Sequence, residues 1–538
     1  MDISWKSIVA RDIVEISIPI IEYHQNRDDL QSWLKSRVGK VSGNINVIVT
    51  LRKSLDARKA NIKYNLRLEV FTDSDFPEEL KIPDFLPLKK EETVHIIGFG
   101  PAGIFAALQC LQMGMKPIVI ERGQAVKERR RDVAKLNRDG EMNTESNYCY
   151  GEGGAGTFSD GKLYTRSMKR GKIQEILEYF VLHGADENIL YEAHPHIGTN
   201  KLPQIIEKLR ETIIERGGEV RFGAKLTDLE HEGGTVTKLA INGEWESCNE
   251  VILATGHSAR DIYYLLHKKN IALEAKPFAM GFRIEHPQTL INTIQYHNEQ
   301  NAKILPAAAY SLVTQVKGKG AFSFCMCPGG IIAPAATDNG EVVVNGWSPS
   351  KRNGEYANSG WVTEIGEEEW KEFKSHGPLA GLEFQKHIEQ KAYTMGGGDF
   401  KVPAQNLIDY IAEKKSSNLN ESSYNPGMTS VDLNQLYPKE INYRLREGLR
   451  AMTSKLKGFD HKKAIVTAPE SRTSAPVRIP RTKELHHTEL INLYPCGEGA
   501  GFAGGIISAA LDGVRVVKAI CQKNEAWSSI TFHIDKSG

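Results

Sequence analysis

The sequence predicts an α/β fold: a doubly wound, Rossmann-like domain with a β-meander crossover, an inserted mixed α/β domain and a small N-terminal α+β domain. Three observations carry this reading. A strand, a glycine-rich turn, a helix and a second strand follow one another from Val94. Helix and strand patterns recur at Leu202 to Arg216, Glu219 to Phe222 and Val251 to Leu253. The same character returns at Leu490 to Pro495 and in a helix from Gly505 to Lys518. Alternating strand and helix patterns of this kind pack as a parallel sheet between helical layers.

Taken in order, residues 1–90 read as a small α+β module. A strand is predicted over Ile13 to Ile20, a helix over Arg27 to Lys35, and alternating strands over Asn46 to Leu51 and Lys63 to Phe71. Asp75 to Lys90 carries Pro77, Pro83 and Pro87 and reads as a linker, because proline propagates neither a helix nor a central strand. The nucleotide domain is assigned to residues 91–270 and 465–525. Within it, Leu226 to His231 and Val236 to Ile241 alternate around Gly233 and Gly234, the pattern of a meander at a crossover. Residues 271–464 are less regular, with strand-like Ala321 to Cys325 and Gly340 to Asn345 and helical Pro438 to Leu449, and are assigned to a substrate or cap domain.

A chain of 538 residues divides into about three units at roughly 100 to 200 residues per domain. Lys plus Arg number 68 against 67 Asp plus Glu, so no global field favours nucleic acid or an anionic membrane, and nucleic acid is not an expected partner. Apolar runs such as Ile506 to Leu511 stop far short of the ~20 residues a bilayer requires. The N-terminal residues lack a basic segment followed by an apolar run, which reads as cytoplasmic. Seven scattered cysteines argue against a disulfide framework.

The strongest motif is Gly98-x-Gly100-x-x-Gly103, fed by the strand at Val94 and including Pro101 and Ala102. Gly98 permits the tight turn, Gly100 lets backbone approach a pyrophosphate, and Gly103 allows helix to pack on strand, while N–H groups at the helix start attract phosphate. The helix that follows reads as amphipathic, with Ile104, Ala107, Leu108 and Leu111 on one face. The second strand ends at Glu121-Arg122, where a carboxylate can accept from ribose hydroxyls and disfavours a 2′-phosphate. A further loop, Gly151 to Lys162, is rich in glycine and hydroxyl residues. Gly156, Thr157 and Ser159 suit contact with a cofactor, and a surface loop is the alternative.

Later segments narrow the cofactor by resemblance. Glu250 to Gly256 resembles the ATG strand end of two-dinucleotide-binding-domain flavoproteins, and Tyr494 to Ile506 resembles their closing glycine-acid motif. With GEGGAGTFSDGKL, FSFCMCPGG, ESRTSAPVRI and CGEGAGFAGGI, the chain resembles the uncharacterised bacterial FAD-dependent dehydrogenase family over nearly its full length. The resemblance implies FAD, held also by Gly256, Gly497, Glu498, Gly504, Gly505 and Ile506. Glu498 stands where such proteins usually carry aspartate. The expected activity is hydride transfer through flavin N5, with NADH or NADPH as candidate transient donors and a small molecule as substrate. An RNA-modifying enzyme and a non-catalytic flavin sensor are the alternatives, and the N-terminal module is a candidate partner-binding unit.

Other features are less decisive. Cys325 and Cys327 form a candidate redox pair against the alternative of structural thiols, since bridging adjacent-but-one cysteines on a regular strand is strained. Cys496 reads chiefly as a core residue. Arg472, Arg478 and Arg481 suit an anionic substrate or the flavin edge, with a solvated basic strand as the alternative. Arg129 to Arg131 read as the start of a solvated face. The histidines show no metal-ligand spacing, so no metal is expected, and no catalytic residue is assigned.

Overall fold

In the computed structural model, residues 12–39, 41, 43–73, 75–89, 91–165, 171–297 and 299–534 are described. Most of the N-terminal segment on which the reading of localisation rests lies outside them. Five short strands make a parallel sheet in the spatial order Leu493–Pro495, Glu250–Leu253, Thr93–Ile97, Lys116–Ile120, Glu219–Arg221. Their near-continuous apolar runs suit a sheet covered on both faces. The central strand Thr93–Ile97 has Lys116–Ile120 on one side and Glu250–Leu253 on the other, so chain direction across the sheet reverses there. Open α/β sheets bind ligands beyond the carboxyl ends of the strands at such a switch point. The β-meander crossover is present as the antiparallel strands Leu226–Glu232, Thr235–Ile241 and Glu244–Ser247.

The helix Pro101–Gln112 departs from its amphipathic reading. Every residue from Ala102 to Leu111 is buried. The final helix, Ile506–Ile534, covers the side that the sheet leaves free and extends well past the expected Lys518. Contact is close enough that a Cβ on Gly513 would lie 2.2 Å from the Ala102 carbonyl oxygen. Small side chains on the first helix permit that approach and remove the polar face.

A second sheet of eight strands stands beside the first. Its main path runs Val313–Val316, Lys319–Pro334, Tyr356–Ile365, Phe278–Pro287, Ile465–Glu470, Val402–Asn406, Met428–Ser430, and Val344–Trp347 pairs with the long second strand. The strand predicted at Gly340 therefore starts at Val344, and the helix predicted at Pro438 runs from Lys439 to Lys455. The N-terminal module is a three-stranded antiparallel sheet whose core is continuous with that of the large sheet, through Leu66, Leu68, Phe282 and Trp361 among others. Its expected single helix is instead two, Ile20–Gln25 and Leu30–Arg37, separated by a short 3-10 turn, and the Asn26 amide donates to the Glu22 carbonyl at the break. Among the described residues no helix is long and apolar enough to cross a membrane.

The glycine turn shows why two of its residues lack side chains. Gly98 has φ of +103°, and a Cβ there would sit 2.5 Å from the Ala254 carbonyl oxygen. A Cβ on Gly103 would sit 2.0 Å from the Gly98 carbonyl oxygen. Gly103→Ala is accordingly expected to lower unfolding free energy by about 2–3 kcal/mol through overpacking. Urea denaturation of the two proteins measures this, and an unchanged midpoint would refute the close packing.

Candidate functional site

Beyond the carboxyl ends of the parallel strands lies an open cavity. Its walls come from the glycine turn, the strand ends at Ile97 and Ile120, the segment from Ala254, the 149–162 loop, the start of the final helix, and the large sheet through Phe324, Cys325 and Asn345.

Glu121 organises the first wall. Its carboxylate accepts from the backbone N–H groups of Phe99 (2.8 Å), Gly123 (2.9 Å) and Gly151 (2.9 Å). One side chain thus ties the glycine turn, the second strand end and the glycine-rich loop together while still lining the cavity. A carboxylate offers about four acceptor sites, so a ribose hydroxyl still finds one.

Arg129 organises the loop from behind, contrary to the solvated face expected for it. The guanidinium is fully buried and donates to the carbonyls of Asn147, Tyr148, Glu152 and Gly154 at 2.6 to 2.9 Å, and to Thr157 Oγ1 at 3.3 Å. Burial pulls its pKa down to about 10, against the pull of Glu121 and Glu152, so it stays charged at neutral pH. The periodicity held the signal. Val126, Arg129, Val133 and Leu136 form the buried face of the helix Val126–Asp139.

Of the residues picked from sequence, Gly98, Gly100, Pro101, Ala102, Glu121, Arg122, Gly156, Ser159, Gly256, Glu498, Gly505 and Ile506 line this cavity. Gly103, Thr157, Gly497 and Gly504 do not. Thr157 is a correction to its expected cofactor contact: it is wholly buried, and its hydroxyl donates to the Glu152 carbonyl inside the loop. Gly497 donates its N–H to the buried carboxylate of Asp512, which Arg481 also grips at 2.8 and 2.9 Å. Arg481 is therefore committed to holding the closing motif. Glu498 faces the cavity with His257 Nδ1 3.6 Å from its carboxylate. Arg122 is engaged by Glu145 and Asp261 and stacks over Tyr150.

Arg472 reaches the cavity wall already paired. Together with Arg260 it grips Glu389 and Glu341, all four side chains being buried, at 2.6 to 3.1 Å. Burial opposes ionisation of Glu389, but the two guanidiniums overcome it and hold that carboxyl well below the usual range. Sequence reasoning did not single out Lys162, Asp160 and Asn345, which also line the cavity. Asp160 pairs with Arg352 at 2.7 Å, and Lys162 lies 3.7 Å from the same carboxylate.

The residues present fit a dinucleotide. Gly100 caps the first helix and brings no side chain to its unpaired first-turn N–H groups, and a Cβ there would meet only Gly154, at 3.7 Å. Protein packing therefore does not demand glycine at this position, whereas close approach of a phosphate does. A doubly wound sheet carrying this turn, this acid and an open switch-point cavity has the features that suit a dinucleotide cofactor.

Comparison with known proteins supplies the family. Residues 277–473 match the model of the FAD-dependent protein, C-terminal domain-like family, and residues 11–71 match a domain of unknown function. An uncharacterized protein of Clostridium beijerinckii is 41% identical over 514 residues, covering 92% of this chain and 96% of that one. The chain belongs to this family of FAD-dependent proteins. Among solved structures, CtdE in complex with FAD is 12% identical with a TM-score of 0.32, over 80% of this chain and 84% of that chain. A geranylgeranyl bacteriochlorophyll reductase-like protein from Thermoplasma acidophilum is 13% identical with a TM-score of 0.32, over 80% of each chain.

Arg129→Met is expected to destabilise the protein by about 3 kcal/mol or more, since each buried carbonyl left without a donor costs about 1–3 kcal/mol. The same variant should lose FAD, because the loop it anchors forms part of the cavity. Chemical denaturation of the apoprotein, followed by FAD titration at a temperature where the variant is folded, reads the two effects separately.

Proposed function

We propose that the chain is an FAD-dependent oxidoreductase that exchanges hydride with a small-molecule substrate in the cytoplasm. One observation carries the reading: a single cavity runs from the glycine turn and Glu121, past Gly256 and the start of the final helix, to Cys325, Asn345 and Arg472 on the large sheet. A dinucleotide bound on the parallel sheet would share this cavity with a wall contributed by the other sheet.

When bound, FAD supplies two-electron chemistry through N5 of its ring, and the protein supplies binding, orientation and charge. Glu121 would accept from the ribose hydroxyls and the N-terminal end of the first helix would hold the pyrophosphate. The N-terminal end of the helix Ile506–Ile534 borders the cavity, and its dipole would favour negative charge on a group bound there. Substrate is accommodated between that end and the large sheet. With Arg472 already paired to buried glutamates, Lys162 is the cation on that wall suited to an anionic group. NADH or NADPH serves as the transient electron donor in this reading, and the N-terminal module is left for a partner.

The purified protein is expected to be yellow, with one FAD per chain. Anaerobic addition of NADH or NADPH should bleach it within seconds to minutes. Bleaching by neither would remove nicotinamides as donors, and a colourless protein that cannot be reconstituted with FAD would falsify the proposal. Gly100→Val is expected to weaken FAD binding at least tenfold, with little change in the thermal midpoint of the apoprotein. Undiminished affinity would sink the assignment of the pyrophosphate to this turn.

A further inference from the structure

We propose that Cys325 and Cys327 are a redox-active dithiol on the cavity wall that passes two electrons to the flavin, becoming a disulfide. The acceptor in this step rests on the flavin reading above; the dithiol itself does not.

The geometry sets this pair apart from the protein's structural thiols. Cys110 and Cys496 are fully buried in the nucleotide-domain core, and burial drives both thiols far above their ordinary range. Cys325 instead is exposed and lines the cavity, while Cys327 lies buried directly behind it. Both sulfurs are 3.7 Å from the Lys162 ammonium, which also donates to the intervening Met326 carbonyl. The Cys327 thiol lies 3.2 Å from the Cys325 carbonyl and within hydrogen-bonding reach of the Cys325 sulfur. Arg283 Nη2 donates to the same carbonyl at 2.9 Å.

Strain on a regular strand is the objection to bridging such a pair, and the strand is not regular here. Phe324 faces Gly360 and Cys327 faces Asn358, so Cys325 and Met326 together oppose the single residue Ser359. This β-bulge places Cys325 at φ of +45°, in the left-handed region that side chains rarely adopt. The turn folds the two side chains toward one ammonium instead of leaving them spread along an extended chain. Strained backbone of this kind gathers at functional sites.

The electrostatics divide the labour. The hydrogen bond from the Cys327 thiol, with Lys162 and Arg283 close by, holds the Cys325 thiol well below its ordinary range, whereas Cys327 is pushed up. Such an asymmetric pair has one attacking thiolate and one protonated partner. In the proposed step, the Cys325 thiolate and the Cys327 thiol form one S–S bond, the Cys327 S–H bond breaks, and two electrons and one proton leave. Oxidised FAD takes both electrons and the proton, giving the anionic reduced flavin, so charge and atoms balance. An external thiol of low molecular weight restores the dithiol by exchange.

Two measurements test this. The apoprotein is treated with excess oxidised glutathione and then iodoacetamide. The peptide bearing both cysteines should escape alkylation and weigh two hydrogens less, whereas in Lys162→Met the disulfide should form at least tenfold more slowly. The FAD-loaded protein, pre-oxidised with glutathione disulfide, is then titrated anaerobically with dithionite. Wild type should take four electrons per flavin, and Cys325→Ser and Cys327→Ser two each. Absence of the disulfide from the apoprotein would overturn the dithiol. A disulfide that forms while the wild-type holoprotein takes up only two electrons would overturn its transfer to flavin. Failure to load FAD overturns the flavin reading alone, because the apoprotein arm stands without it.

Discussion

One buried guanidinium fixes the geometry of the cofactor wall. A glycine-rich loop such as 147–157 has few side chains with which to hold its own shape, and its carbonyls point inward, where water does not reach them. Arg129 satisfies four of those carbonyls from a single rigid group, and the planar fork of donors sets their relative positions. Lysine would meet fewer acceptors and impose no such plane. The loop then presents Gly151 to Glu121 and Gly153 to the Phe99 carbonyl, so the glycine turn, the second strand end and the loop become one unit. The cavity's shape on this side follows from a positive charge that never faces it.

A second set of buried charges fixes the opposite wall. Arg260 starts the helix that follows the strand Glu250–Leu253, Arg472 follows a strand of the large sheet, and Glu341 and Glu389 come from the segments packed against them. The two guanidiniums hold Glu389 as an anion, burial and that neighbouring anion push the Glu341 carboxyl up to about 7, and the dense hydrogen bonding offsets the cost of taking the four groups from water. A buried quartet of this kind is a geometric register between two sheets, since sliding one sheet past the other strands a charge. The gap between the sheets is therefore held to one width.

Much of this was legible in the sequence, for reasons that differ by element. The strand at Val94, its three glycines and Glu121 are local features: backbone angle, close approach and strand period all act within about 25 residues, so pattern alone carries them. The meander crossover was readable from alternation around Gly233 and Gly234. The long-range elements were not. Whether the helix Pro101–Gln112 shows a polar face depends on a helix some 400 residues later in the chain. Arg129 looked solvated because three arginines in a row do so by composition, although its helical phase matched Val126, Val133 and Leu136. Arg472 and Arg481 were read as suited to an anionic substrate or the flavin edge, or as a solvated basic strand, but their partners, Glu341, Glu389 and Asp512, lie far away in sequence, so the internal pairing could not be foreseen.

Placement of charge around the large-sheet wall follows a different rule from the rest of the site. Arg122, Arg472 and Arg481 are each held by carboxylates, and their fields are largely spent within the protein. Among the described residues Lys162 pairs with one carboxylate, Asp160, and that group is shared with Arg352 at the shorter distance. Its ammonium thus keeps charge to spend, and the groups that it meets next are two sulfurs and a carbonyl. A cation left partly uncompensated beside thiols lowers the cost of a thiolate, and the same cation stabilises negative charge arriving from the cavity. The wall is therefore electrostatically prepared for an anion, whether that anion is the sulfur of Cys325 or a group on a substrate bound beside it.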